Sequence, residues 1–299
     1  MFSTVTRPAP APAAHDPAGE TVIQPSRGWI GVNWGELLRG RELLYFLIWR
    51  DIKVRYKQAI LGAAWVVLQP LFNMVLFTLV FGRVANFSER LGPQYRDAYA
   101  LFVFAAMLPW QLFSTALNSG GQSLVAQQNL LTKIYFPRLY VPASVVGGAL
   151  LDLAISLVFV IFLMAWYHVP PSPWIVLLPL LLALTLACSL GAAFLFSALT
   201  ITYRDWRFLI PFIGQVWMYA SFVAFPPSIV GPKWRIVLAL NPMYGIVTAW
   251  RKLILGGAPD AITGWDPLFL VTSIAITAVL LLLGLFYFRR SERRFADIA

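Results

Sequence analysis

Residues 268–288 read LFLVTSIAITAVLLLLGLFYF, an apolar run without a charged side chain that stops at Arg289 and Arg290. About 20 apolar residues, each adding about 1.5 Å of helix, are needed to cross the hydrocarbon layer of a membrane. The run therefore predicts a transmembrane helix. Five further apolar runs lie upstream, and the six predicted spans are residues 62–83, 98–118, 141–167, 174–200, 208–225 and 268–288.

The composition of the whole chain agrees with this interpretation. Of its 299 residues, 59% are hydrophobic and only 12% are charged, and the mean hydropathy is +0.72. A water-soluble core cannot absorb that much apolar surface. We predict an all-α polytopic membrane protein with six transmembrane helices. Its single cysteine, Cys188, excludes an intrachain disulfide and a cysteine-based metal cluster, and no metal site is predicted.

The positive charges indicate the orientation of the spans. The net charge is +10, but the basic residues lie in loops beside apolar runs, so we predict no nucleic-acid partner. An even number of spans places both termini on one side of the membrane, and 16 of the 23 lysines and arginines fall on that side. Cytoplasmic loops carry an excess of basic residues, which predicts that both termini are cytoplasmic.

The region before the first span has two parts. Residues 1–30 are rich in alanine and proline and predict a disordered cytoplasmic tail, leaving residues 31–299 as a single transmembrane domain. Residues 36–58 predict an amphipathic helix on the cytoplasmic surface of the membrane. On this helix Tyr45, Ile48, Trp49, Ile52 and Tyr56 share one face, with Arg50, Lys53 and Lys57 on the other side.

The linker between the fifth and sixth predicted spans, Pro226 to Pro267, is also partly apolar. Its middle, Trp234 to Leu255, is interrupted by Asn241 and Pro242, so each piece is too short to cross a membrane. Irregular backbone within a membrane needs protein or water to satisfy its polar groups. We therefore predict a pair of short re-entrant helices on the external side.

Signs of catalysis are missing from the sequence. No G-x-x-x-x-G-K-[ST] phosphate-binding loop is present, and His15 and His168 have no plausible catalytic neighbours in sequence. The segment Ser119 to Ser123, SGGQS, resembles an ATPase signature, but it directly follows an apolar span, and we interpret its two glycines as a flexible helix exit. The chain is predicted to be a conduit without catalytic residues.

Asp152 is the one acid inside a predicted span, where a carboxylate costs about 2.5 to 3.5 kcal/mol on insertion scales. It should therefore face the helix bundle or water. One interpretation is a proton-transfer site, and the other is a structural hydrogen bond to a neighbouring span. The structural interpretation is favoured, because the predicted spans contain no second carboxylate or histidine that would form a proton relay.

Four ordered sequence segments resemble the ABC type-2 transporter permeases, in particular those that export O-antigen, capsule and teichoic-acid polysaccharides. The resemblance extends over most of residues 36–290. Its segments are RDIKVRYK at Arg50–Lys57 with Leu61-Gly62, Trp65 and Gln69-Pro70; NLLTKIYFPR at Asn129–Arg138; Tyr203-Arg204-Asp205; and Leu240-Asn241-Pro242-Met243.

The resemblance implies a homodimeric permease in the cytoplasmic (inner) membrane that exports a lipid-linked polysaccharide for lipopolysaccharide or capsule assembly. A separate cytoplasmic ABC ATPase subunit would bind ATP and magnesium, so this chain would bind no cofactor. Membrane lipids and the lipid-linked glycan would be its other contacts. The alternatives are a type-2 ABC exporter of a drug or lipid, and an ATP-independent secondary carrier, against which the lack of inverted halves argues.

Three sets of residues are candidates for this activity. The resemblance implies ATPase coupling by a segment between the second and third spans and by the motif after the fourth: Asn129, Leu130, Leu131, Thr132, Lys133, Phe136, Pro137, Arg138, Tyr203, Arg204 and Asp205. Substrate uptake or lipid-headgroup contact is assigned to Arg50, Lys53, Arg55 and Lys57. Weak stacking on sugar faces is assigned to the pore aromatics Trp65, Phe72, Trp110, Trp217 and Tyr219.

Overall fold

The computed structural model describes Gly35 and residues 40–57, 64–93, 95–128, 136–229, 231–256 and 258–298, and the regular structure within these ranges is helical. The predicted disordered tail and residues 129–135 of the predicted coupling segment lie outside them. The helices are α1 (Arg41–Lys57), α2 (Ala64–Val84), α3 (Tyr99–Ala126), α4 (Tyr140–Trp166), α5 (Pro173–Thr202), α6 (Trp206–Ala220), α7 (Arg235–Ala239), α8 (Pro242–Ile254), α9 (Asp260–Thr263) and α10 (Pro267–Ile298).

Five of these helices, α2, α3, α4, α5 and α10, are long and apolar enough to cross a membrane. They match the predicted spans 62–83, 98–118, 141–167, 174–200 and 268–288. Polar residues just before two of them define where the helices begin. The Ser172 hydroxyl accepts the Trp174 backbone N–H at 3.2 Å, and the Asp266 carboxylate accepts the Leu268 backbone N–H at 2.9 Å.

The predicted span 208–225 corresponds to the shorter helix α6, which has 15 residues. At about 1.5 Å per residue it covers about 22 Å, less than the roughly 30 Å hydrocarbon layer. Beyond Ala220 the backbone leaves the helical conformation, with a φ of 56° at Phe222, and the carbonyl groups that follow have distant partners. Arg251 donates to the carbonyl oxygens of Phe222 and Val223, and Tyr99 donates to that of Ala224.

Helix α3 is longer than predicted, and this changes the interpretation of Gly120 and Gly121. Both glycines lie inside the helix, which continues to Ala126. A side chain on Gly120 would lie 3.0 Å from Ala193 of α5, and one on Gly121 would lie 3.2 Å from Phe196 of α5. The expectation of a flexible helix exit was therefore wrong: the two glycines allow close packing between α3 and α5.

The interior is formed around α3 and α8. Most of α3 is buried, and every residue of α8 except Lys252 is buried. Helix α10 packs chiefly along α5, where a side chain on Gly284 would come within 2.4 Å of the Gly191 carbonyl oxygen. Small residues at such crossings let helix backbones approach closely in membrane proteins.

The pair of short helices expected in the linker before the last span is present as α7 and α8. They are separated at Asn241 and Pro242, as the sequence predicted. Pro242 occupies the first turn of α8, where its missing N–H removes no helical hydrogen bond, and the Asn241 side chain accepts the Met243 N–H at 3.0 Å.

Candidate functional site

Helix α1, which lies within the predicted amphipathic segment 36–58, packs along α4. Gly40 lies against the ring of Tyr140, and further along Ile48 and Ile52 pack against the adjacent glycines Gly147 and Gly148. The predicted apolar face is divided in the structure. Ile48, Ile52 and Tyr56 point to α4, whereas Tyr45 and Trp49 are exposed on the surface of this chain.

A first group of polar contacts joins α1 to α4 and to Gln127, the residue that follows α3. The Arg50 guanidinium donates to the Asp51 carboxylate at 2.7 Å and to the side-chain oxygen of Gln127 at 2.9 Å. The Ser144 hydroxyl of α4 donates to the other Asp51 oxygen at 3.0 Å. Because Gln127 directly follows α3, one arginine connects α1 with the chain that leads into the predicted coupling segment.

A second polar contact lies further along the same two helices. Arg55 forms an ion pair with Asp152 of α4, and the Tyr56 hydroxyl donates to the other Asp152 oxygen. Burial, together with this hydrogen bond, raises the pKa of Tyr56 to about 12. The partners of Asp152 therefore lie on α1, and not on a neighbouring span as the structural interpretation expected.

The other two basic residues proposed for substrate uptake are placed differently. Lys53 is exposed, and its ammonium lies 5.5 Å from the centre of the Trp49 ring. Lys57 is also exposed. Arg50 and Arg55 are thus engaged with acidic side chains, whereas Lys53 and Lys57 are exposed.

The described parts of the predicted coupling region lie at one end of the bundle, which we call the Phe136 end. Phe136 belongs to a buried apolar cluster made by α1, α3, α4, α5 and α10, whose other members are Leu47, Leu124, Leu139, Tyr140, Val141, Phe194, Ala198, Ile201 and Phe288. Pro137 separates Phe136 from Arg138, which donates to the Glu292 carbonyl oxygen at 2.7 Å.

Tyr203, Arg204 and Asp205 form the short connection between α5 and α6. Their exposure fits a surface that could meet another protein, and Tyr203 is 57% exposed. Ile201, two residues earlier, belongs to the same buried cluster as Phe136. The structure therefore brings this motif and the end of the Asn129–Arg138 segment to the same end of the bundle, while residues 129–135 lie outside the described ranges.

The five predicted pore aromatics have different surroundings. Trp65 and Phe72 of α2 and Tyr219 of α6 are exposed on this chain, by 50%, 60% and 40%. Trp110 is buried in the core, and the Trp217 indole N–H donates to the Asn241 side chain at 2.8 Å. Only the first three present open surface to a path, lipid or a second copy.

The opposite end of the bundle, which we call the Asn241 end, contains a network that the sequence did not predict. The Asn241 side-chain oxygen accepts a hydrogen bond from the Trp217 indole N–H, and the Asn241 amide nitrogen donates to the Ser221 hydroxyl at 3.0 Å. Arg251 is fully buried, and its guanidinium carbon lies 3.8 Å from the centre of the Phe102 ring. Arg251 lies within the apolar stretch Trp234 to Leu255, and the carbonyl groups that it contacts come from distant parts of the chain, so nothing in the sequence indicated its burial.

The chain is a multi-pass helical membrane protein, and the sequence pattern of the ABC-2 type transporter family matches its residues 42–255. It therefore belongs to that family. It is similar to the O-antigen export system permease protein RfbA of Myxococcus xanthus, with 29% identity over 260 residues covering 86% of this chain and 96% of the relative.

Two further relatives extend the comparison. The protein of the same name from Klebsiella pneumoniae is 26% identical over 258 residues, covering 86% of this chain and 95% of the relative. The polysialic acid transport protein KpsM of Escherichia coli is 23% identical over 217 residues, covering 71% of this chain and 80% of the relative.

Proposed function

We propose that this chain is the permease subunit of an ATP-driven exporter that moves a lipid-linked polysaccharide, such as an O-antigen or a capsule glycan, out of the cytoplasm. The observation that carries the proposal is the similarity to O-antigen export permeases over nearly their whole length. The similarity to a polysialic acid transport protein supports the same class of substrate.

Energy would come from a separate cytoplasmic ABC ATPase, which holds ATP and magnesium. This follows from the family and from the lack of a phosphate-binding loop in the sequence. The surface offered to the ATPase would be the Phe136 end, with the Asn129–Arg138 segment and Tyr203–Asp205. The shared apolar cluster there would pass a displacement of this surface to α1, α5 and α10.

In the proposed topology α6 and the turn after it form the fifth of six crossings, α7 and α8 re-enter from the external side, and both termini are cytoplasmic. Aromatic side chains on α2 and α6 that are exposed on a single copy support a homodimer around a path. They are Trp65, Phe72, Phe208, Phe212 and Tyr219. Repeated aromatic contacts would hold sugar rings weakly, as processive transport requires.

The first test is the phenotype of a deletion strain. Loss of the gene is expected to remove the surface polysaccharide and to accumulate the lipid-linked glycan on the cytoplasmic side, and re-expression should reverse both effects. Surface glycan is measured by antibody or lectin binding, and the intermediate by lipid extraction. A strain that keeps its surface glycan but loses resistance to a drug or export of a simple lipid would refute the polysaccharide assignment.

The crossing by α6 has its own test because this helix is short. In a Cys188→Ser background, single cysteines replace Glu89, Tyr203 and Lys233, which are exposed. An impermeant thiol reagent applied to intact spheroplasts is expected to label positions 89 and 233 and to leave position 203 unlabelled until the membrane is opened. If positions 203 and 233 react from the same side, α6 does not cross and the chain has five spans.

A further inference from the structure

Two of the four basic residues at positions 50–57 of α1 have acidic partners. Arg50 lies 2.7 Å from Asp51, and Arg55 is paired with Asp152. Within the described ranges no acidic side chain lies within salt-bridge distance of Lys53 or Lys57. An arginine whose charge is already matched by a carboxylate attracts a phosphate group less strongly than an exposed lysine does.

The two polar contacts attach α1 to α4 at different positions along the axis of α4. Ser144, which binds Asp51, and Asp152, which binds Arg55 and Tyr56, are eight positions apart on α4, or about 12 Å along a helix. Between them Ile48 and Ile52 contact Gly147 and Gly148. Two polar contacts on either side of a close apolar one fix both the rotation and the sliding of α1 along α4.

Arg50 extends this attachment to the coupling region. Its planar guanidinium reaches Asp51 and Gln127 at the same time, a geometry that a lysine ammonium on a flexible stem does not reproduce. Gln127 lies two residues before Asn129, where the predicted coupling segment begins. A displacement of that segment would therefore be passed to α1 through the Arg50 side chain.

We infer that Arg50 and Arg55 are positioning residues that hold α1 on α4 and connect it to the coupling segment, and that, of these four basic residues, only Lys53 and Lys57 present cationic surface to anionic phosphate groups. The link to coupling rests on the proposed function. The attachment of α1 does not, since it follows from contacts within this chain.

The attachment is tested by disulfide crosslinking in the full-length permease. In a Cys188→Ser background, Ile52→Cys and Gly148→Cys place two thiols close together, because a side chain on Gly148 would lie 3.9 Å from Ile52. Adding Arg55→Gln or Asp152→Asn is expected to slow oxidative crosslinking about threefold or more. Lys53→Gln and Lys57→Gln remove the same charge and are the matched controls, with rates expected to be unchanged.

A charge-exchange variant makes the result decisive. The exchange Arg55→Asp with Asp152→Arg restores a pair of opposite charges and should recover most of the crosslinking rate. If the lysine variants slow crosslinking as much as Arg55→Gln does, or if the exchange recovers nothing, the positioning role is wrong. Because this measurement needs neither ATP nor substrate, its failure is distinct from a failure of the proposed export function.

The link between Arg50 and energy coupling is tested in vesicles that contain the permease and its ATPase. The quantity measured is the number of ATP molecules hydrolysed per glycan exported. Arg50→Lys and Gln127→Ala are expected to raise this ratio at least threefold, as energy coupling is lost. Lys53→Gln should instead weaken the salt-sensitive dependence of export on anionic lipid, with the ratio unchanged. Equal ratios in the Arg50 and Lys53 variants would overturn the transmitting role of Arg50.

Discussion

Replacing Arg251 by methionine is expected to lower the stability of the permease by about 2 to 5 kcal/mol and to abolish export, because it leaves buried carbonyl groups without donors. The guanidinium donates to the carbonyl oxygens of Phe222 at 2.7 Å, Val223 at 2.8 Å and Phe102 at 3.3 Å. Methionine fills a similar volume but offers no donor. The measurement is the thermal unfolding of the purified permease, together with surface glycan at matched expression.

The neighbouring residue gives the control. Lys252→Met removes the same charge from the next position of α8, but Lys252 is partly exposed and its partner Asp260 is largely exposed. Loss of such a surface pair changes stability by about 1 kcal/mol or less. Arg251→Lys keeps the charge but lacks the planar guanidinium. Its stability should lie between those of the Arg251→Met and Lys252→Met variants. Equal stability of the Arg251→Met and Lys252→Met variants would show that Arg251 does not hold the turn after α6.

The second large effect is expected in the coupling segment. Leu131→Asp places a charge on a surface that the proposed function docks against the ATPase, so export and co-purification of the ATPase should fall at least tenfold. The permease itself should still insert, since the segment lies between spans. Both quantities are measured at matched membrane abundance.

Gln122 is the comparison residue for this experiment. The SGGQ resemblance would make Gln122 a nucleotide contact, whereas the structure places it within α3, next to glycines that pack on α5. Gln122→Ala should therefore leave export close to normal. Normal export from Leu131→Asp combined with lost export from Gln122→Ala would reject the Asn129–Arg138 segment as the coupling element.

The sequence predicted those helices that are determined by residues close together in the chain. Long apolar runs define α2, α3, α4, α5 and α10, and the break at Asn241-Pro242 divides α7 from α8, because run length and proline chemistry act within a few residues. The pattern of residues 36–58 predicted a helix, and α1 (Arg41–Lys57) lies within that segment, but the pattern could not tell which of its aromatic residues meet α4.

Features that depend on distant partners were not predictable in this way. The carbonyl groups that follow α6 are bonded by Arg251 and Tyr99, which are 31 and 121 positions from Ala220. Similarly, Arg50, Lys53, Arg55 and Lys57 look alike as one basic face, and only the positions of Asp51 and Asp152 in the fold separate them. The paired glycines of α3 resembled a helix exit for the same reason, since Ala193 and Phe196 come from another helix.

The central claim is that this chain exports a lipid-linked polysaccharide by using ATP bound to another subunit. The direct measurement is transport into inside-out vesicles that contain the purified permease, its ATPase, or both, with labelled lipid-linked glycan and ATP supplied outside. We expect ATP-dependent protection of the glycan inside the lumen only when both subunits are present, and no ATP hydrolysis by the permease alone. Glycan uptake by the permease without the ATPase, or ATP hydrolysis by the isolated permease, would contradict it.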